Sequence, residues 1–211
     1  MKVVILAGGL GTRITEESHL KPKPMIEIGG IPIMLHIMNH YSKYGFNDFI
    51  ILSGYKSEKI FKYFSNFYAE SSKNTIFNLE NGEREDLEIE TKKWKVQVIN
   101  SGLNTQTGGR LIWAKKYLDQ DFLLTYGDGL SDVNLKKLID IHHNNKNVVT
   151  LTAVQPEGRF GALEFEGDQK VSGFYEKPEG DGHWINGGFF CCSKEIFEYI
   201  RSEDEILEKY P

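Results

Sequence analysis

The chain has 211 residues, with 25 Lys+Arg against 30 Asp+Glu and a net charge of −5. At 40% apolar and 26% charged residues it reads as neither disordered nor membrane-spanning, and the acidic balance argues against a nucleic-acid binder, which shows a basic face. The length suits one α/β domain with a sizeable core. Cys191 and Cys192 are adjacent. A bridge between neighbours is strained, so two free thiols are expected, as in a reducing cytoplasm.

Lys2 to Ala7 is a short apolar run ended by glycines, which predicts a buried first strand. Pro32 stands where a helix can start; Ile33, Ile37, Tyr41 and Tyr44 follow at helical spacing, and Gly45 stops it. Phe49 to Leu52 predicts a second strand. Ser57 is placed to cap a helix carrying Ile60, Phe61, Phe64 and Phe67. The stretch from Glu80 to Lys95 is acidic, then basic, and reads as a solvated loop or hairpin. A subunit contact anchored by Trp94 is the sharper alternative. Val96 to Asn100 alternates as a strand does. Leu111 to Leu118 predicts a helix, Phe122 to Tyr126 a buried strand, and Leu135, Leu138, Ile139 and His142 one helix face, with Asp132 as its expected cap. Val148 to Val154 is strand-like. Leu163 to Phe165, Val171 to Tyr175 and Ile185 to Cys191 are strands without long helices between them, so an antiparallel or mixed part is expected there.

Repeated strand–helix–strand units imply a mostly parallel sheet with helices on both faces. Such sheets bind ligands beyond the carboxyl ends of their strands. That rule selects the loops after Ala7 and after Tyr126.

The first loop runs Leu6-Ala7-Gly8-Gly9-Leu10-Gly11-Thr12-Arg13. Its glycines let the backbone approach a ligand and aim N–H groups at an anion. Arg13 adds a fork suited to phosphate oxygens. A merely tight turn is the plainer alternative. The dinucleotide fingerprint fails at Ile14, and no Gly-Lys-Ser/Thr of a Walker A loop occurs. In Lys21-Pro22-Lys23-Pro24 the prolines stiffen the backbone and can hold a long cation in a fixed place. Gly127-Asp128-Gly129 puts a carboxylate at a strand end, where it can serve a hard cation held mainly by phosphates, or simply make a turn. Thr107-Gly108-Gly109-Arg110 opens a helix whose backbone could meet a planar base edge. Glu176-Lys177-Pro178 and Asn186-Gly187-Gly188 offer groups that satisfy sugar hydroxyls, and turn chemistry explains each of them alone. The histidines show no metal-ligand spacing.

Taken in order, Leu6 to Arg13, Lys21 to Pro24, Gly127-Asp128, Glu176-Lys177-Pro178 and Asn186-Gly187-Gly188 resemble the sugar-1-phosphate nucleotidylyltransferases, over nearly the whole chain. The resemblance implies a Rossmann-like three-layer domain over residues 1–211 with a mostly parallel mixed sheet. It implies transfer from CTP to glucose 1-phosphate, with Mg²⁺ and release of pyrophosphate, in deoxysugar supply for surface polysaccharide. Transfer from dTTP, UTP or GTP, or binding without turnover, are the alternatives. By the same resemblance Leu6, Ala7, Gly8, Gly9, Gly11 and Thr12 cradle the nucleotide. Arg13 and Lys23 meet the phosphates, Asp128 holds the metal, and Thr105, Gly109 and Arg110 face the base. Tyr126, Gly127, Glu176, Lys177, Asn186 and Gly187 hold the sugar side. A homo-oligomer is also implied. Relatives carry a second metal-binding aspartate in a C-terminal segment; Asp204, Glu205 and Glu208 lack that motif and read as the polar face of a final helix.

Overall fold

The computed structural model describes residues 1–10, 21–67, 72–89, 92–156, 162–167, 170–176 and 184–209. Its elements alternate along the chain. Strand β1 (Val3–Ala7) is followed by a 3-10 turn at Lys23–Met25, the short pair β2 (Glu27–Ile28) and β3 (Ile31–Pro32), and helix α1 (Ile33–Lys43). Then come β4 (Asp48–Ser53), α2 (Ser57–Ser65), the hairpin strands β5 (Ser72–Phe77) and β6 (Arg84–Ile89), β7 (Lys95–Asn100) and α3 (Thr107–Ala114). The chain continues through β8 (Phe122–Tyr126), α4 (Leu135–Asn145), β9 (Val149–Val154), the hairpin β10 (Ala162–Glu166) and β11 (Lys170–Tyr175), and β12 (Ile185–Cys192).

A six-stranded sheet runs in the order β7-β4-β1-β8-β12-β9. The β7, β4, β1 and β8 neighbours are parallel. Strand β12 is antiparallel to both β8 and β9. The expected mixed sheet is therefore present, with its antiparallel part where the long helices stop.

Every residue of β1 is buried, as a central strand covered on both faces requires. Its side chains divide by the two-residue period. Val3, Ile5 and Ala7 pack with Met34, Ile37 and Tyr41 of α1, Ile60 of α2, and Leu135 and Leu138 of α4. Val4 and Leu6 pack with Leu111 and Ala114 of α3, and with Ile196 and Phe197. Three layers result, each interface contributing about 1.5–3 kcal/mol per fully buried large aliphatic side chain. Cys191 and Cys192 are free, buried thiols on opposite faces of β12.

Local chemistry differs from expectation at a few ends. Helix α1 does begin after Pro32 and does stop before Gly45, whose φ of +89° supplies the left-handed exit. Ser57 is the first residue of α2 instead of its cap, and its hydroxyl lies 2.6 Å from that of Ser53. Asn134, not Asp132, caps α4, accepting from the Lys137 amide at 3.1 Å. Residues 201–209 fold as bends and turns, not as a final helix. The charged stretch belongs to the β5–β6 hairpin and the entry to β7. Trp94 packs on Phe49 and Phe67 and donates to Ser42 at 2.5 Å, so its ring serves this chain's own core margin.

Ile51 is fully buried in β4, whereas Leu79 is 93% exposed in the hairpin turn. Urea denaturation should show Ile51→Ala losing about 2–5 kcal/mol and Leu79→Ala staying within about 0.5 kcal/mol of the unmodified chain. Equal losses would mean that the sheet centre is not where stability resides.

Candidate active site

From β1 the chain builds outward to β4 and β7, then crosses back to place β8 on the other side of β1. The connections leave β1 and β8 in opposite senses, and such a reversal opens a crevice at the carboxyl edge. A cleft of about 390 Å³ lies there. Leu6, Ala7, Gly8, Gly9 and Leu10 form one wall; Lys23 and Pro24 form another. Asn104 to Thr107 with Arg110 close a third side, and Tyr126 and Asp128 the fourth.

Lys23 begins the 3-10 turn between Pro22 and Pro24, and Pro24 and Met25 are buried beneath it. The rigid turn projects the ammonium to 3.6 Å from Asp128 Oδ2. The Lys23 side chain is 18% exposed and that of Asp128 45%. Gly127 lies between β8 and the carboxylate. Its N–H donates to the Leu6 carbonyl at 2.9 Å, and a Cβ there would stand 2.9 Å from Pro24. The sequence motifs on β1, on the proline turn and on β8 thus meet at one point.

Arg110 lies on α3 and is 4% exposed. Its guanidinium donates to the carbonyls of Gly8 at 3.1 Å, Ser53 at 3.3 Å, Gly102 at 2.8 Å and Leu103 at 3.4 Å, and to the Ser101 hydroxyl at 2.7 Å. Desolvation lowers its pKa from the ordinary arginine value. The side chain therefore borders the cleft as the tie behind the glycine loop, with its donors directed at the main chain instead of a base edge. Gly109 packs against segment 201–209. Its N–H donates to the Glu205 carbonyl at 3.0 Å, and a Cβ would stand 2.2 Å from the Glu203 carbonyl oxygen. It is glycine so that segment 201–209 can seat on α3. Thr105 lines the cleft, and its hydroxyl donates to the Ser101 carbonyl at 2.5 Å.

Of the residues expected at the sugar, Tyr126 lines the cleft, and Asn186 donates to its hydroxyl at 3.4 Å. Gly187 packs on β9, where a Cβ would stand 2.8 Å from the Thr152 hydroxyl. Glu176 is exposed at the end of the separate β10–β11 hairpin and does not line the cleft. Gly11, Thr12, Arg13 and Lys177 lie outside the described residues. Sequence reasoning missed Glu208, whose carboxylate accepts from Thr107 and from Tyr126, each at 2.6 Å. No spacing signal announces a contact so distant along the chain.

Lys23 and Arg110 bring two cationic side chains to the cleft, with the Asp128 carboxylate beside Lys23. Among the described residues no group of three or more His, Cys, Asp or Glu is arranged to hold a metal. A lone carboxylate such as Asp128 still fits a hard cation whose other ligands are phosphate oxygens. No helix among the described residues is long and apolar enough to cross a membrane.

The chain matches the family described as Nucleotidyl transferase over residues 2–210. It belongs to that family. It is 46% identical over 216 aligned residues to the glucose-1-phosphate cytidylyltransferase of Salmonella typhi, covering 100% of this chain and 82% of that protein. It is 43% identical to a probable glucose-1-phosphate cytidylyltransferase of Bacillus subtilis (strain 168), covering 98% of this chain and 80% of that one. The crystal structure of HddC from Yersinia pseudotuberculosis complexed with GMP-PN is similar with a TM-score of 0.69 at 27% identity, over 100% of this chain and 86% of that chain.

A Cβ on Gly8 would fall 2.1 Å from the Arg110 guanidinium carbon, whereas Gly9 has open space. Gly8→Ala should therefore lose about 1–3 kcal/mol of stability and weaken nucleotide binding, while Gly9→Ala should fold within about 0.5 kcal/mol of the unmodified chain. Thermal unfolding with and without nucleotide reads both; indistinguishable variants would disprove the tie.

Proposed function

We propose that this chain is a glucose-1-phosphate cytidylyltransferase, which joins CTP and glucose 1-phosphate into CDP-glucose and pyrophosphate. The 46% identity, over the whole of this chain and 82% of an enzyme of that name, carries the reading, and the cleft gives it a mechanism. A phosphate oxygen of glucose 1-phosphate attacks the α-phosphorus of CTP. The bond from that phosphorus to the β-phosphate oxygen breaks, and pyrophosphate leaves with the electron pair. The attacking oxygen carries no proton that must be removed, so positioning and charge stabilisation serve better than a general base.

Gly8 and Gly9 present main-chain donors to the phosphates. Arg110 holds Gly8 in place from behind. Lys23 pairs with Asp128 at 3.6 Å and stabilises charge that develops on the transferring phosphoryl group. Asp128 would hold Mg²⁺, and the ion would supply further charge neutralisation. Arg13 adds a phosphate contact and Lys177 a sugar-phosphate contact, as the sequence motifs suggest. Asn186 and Tyr126 bound the glucose side. In this reading residues 1–211 act as one nucleotidyltransferase domain. A cytoplasmic homo-oligomer feeding deoxysugar and surface-polysaccharide synthesis completes it. The HddC likeness, in a complex with GMP-PN, keeps a guanine nucleotide as a second reading for the base alone.

Pyrophosphate release should be measured with glucose 1-phosphate, Mg²⁺ and each triphosphate in turn. CTP should be preferred, and Lys23→Ala should lower kcat by about 10²–10³-fold. Preference for GTP, dTTP or UTP would correct the base. Undiminished turnover by Lys23→Ala would remove that residue from the mechanism.

A further inference from the structure

Segment 201–209 crosses from the start of α3 to the end of β8. The Gln106 amide donates to the Glu203 carbonyl at 2.9 Å, and the Gly109 amide to that of Glu205 at 3.0 Å. The Leu207 amide donates to the Thr107 hydroxyl at 3.1 Å. Gly108 also admits the segment closely, since a Cβ there would stand 3.0 Å from the Glu205 carbonyl oxygen. The glycine pair that could have opened toward a base edge is thus occupied by the chain's own backbone.

The segment ends its crossing on Glu208. One carboxylate oxygen accepts from Thr107 at 2.6 Å and the other from Tyr126 at 2.6 Å. Thr107 and Tyr126 both line the cleft; in the reading proposed above Thr107 is on the nucleotide side and Tyr126 on the sugar side. The Tyr126 ring is steered by Phe190, edge to face at 5.7 Å, and by Gly188, where a Cβ would stand 3.0 Å from the ring. Its hydroxyl has Asn186 at 3.4 Å as a further partner.

We infer that Glu208 is a positioning residue, which straps segment 201–209 across the rim and fixes Tyr126 and Asn186 for the sugar phosphate. Thr107 is held independently as part of α3, so loss of the strap falls on the Tyr126 side. The inference rests on the cleft being the site of sugar-phosphate binding proposed above.

Steady-state pyrophosphate release by the unmodified chain, Glu208→Ala, Glu208→Gln, Tyr126→Phe and the Glu208→Ala/Tyr126→Phe pair tests it. Glu208→Ala should raise KM for glucose 1-phosphate about tenfold, the scale of one lost charged hydrogen bond. KM for CTP should move less than about threefold. Glu208→Gln should recover most of the loss, because an amide accepts from one hydroxyl and donates to the other. The double variant should be no worse than the poorer single one, as coupled groups require. A structural prop would instead lower the thermal midpoint and leave the split between the two KM values absent. An unchanged glucose 1-phosphate KM, an equal rise in both values, or additive losses would each overturn the inference. Calorimetric titration of glucose 1-phosphate into the same variants covers a chain without turnover. Absent turnover in the unmodified chain counts against the proposed reaction. Weaker binding by Glu208→Ala alone would still support the strap, and equal binding by all variants would overturn it.

Discussion

A buried guanidinium is the constraint on which the site depends. Moving a cation out of water costs several kcal/mol unless its donors are satisfied. Arg110 meets that demand with oxygens from the ends of β1, β4 and β7 and the loop beyond β7. Three adjacent parallel strands are thereby tied at their carboxyl ends, where backbone would otherwise fray into loops. Ser101 reinforces the tie through its amide and hydroxyl, at 2.8 Å and 2.7 Å from the Ser53 carbonyl. Room for the guanidinium comes from omitted side chains. A Cβ on Gly54 would stand 2.6 Å from it and one on Gly8 closer still.

The acceptors of Arg110 are carbonyl and hydroxyl oxygens, which are neutral. Its positive charge is therefore solvated by dipoles without being cancelled, and the field extends into the cleft beside it. On the far wall Lys23 has Asp128 at 3.6 Å, a carboxylate nearly half exposed. A chain with a net charge of −5 thus brings Arg110 and Lys23 to the cleft where the proposed reading has phosphates enter. Groups already oriented by the fold need not reorganise when charge develops, which is where such sites gain most.

The sheet was legible because its strands are written as local patterns. Val3 to Ala7 is apolar without interruption and Phe122 to Leu124 nearly fills its strand with apolar side chains, as strands buried on both faces require, and each strand is followed by glycine. The rule for the carboxyl edge then located the cleft from two loops alone. Cap chemistry was less legible, since Asp132 and Asn134 are equally good caps by type and only the helix's actual start chose between them. The role of Arg110 was hidden for a different reason. Its partners at Gly8, Ser53 and Gly102 are main-chain atoms, which leave no residue-type signature. Gly108-Gly109 likewise signals close approach without naming what approaches. The answer, segment 201–209, lies far along the chain and contributes mainly carbonyls.

Strand direction explains how both halves of the site share one edge. The carboxyl ends of β1 and β8 supply Gly8 and Asp128. Because β12 runs antiparallel to β8, its beginning, not its end, lies at that edge, and the beginning holds Asn186. The pairing with β9 shifts register between Asn186 and Phe190, and such irregularities re-aim side chains. Gly188, at φ +80°, turns its amide back to the Asn186 side-chain oxygen at 2.8 Å. That bond fixes the amide orientation and leaves the Asn186 NH₂ group to face Tyr126. Had β12 been parallel, Cys191 and Cys192 would occupy the edge, and nothing on the strand could bind a hydroxyl. The change of direction in the sheet is therefore what gives the cleft edge, in the proposed reading, polar side chains for a sugar beside its phosphate loop.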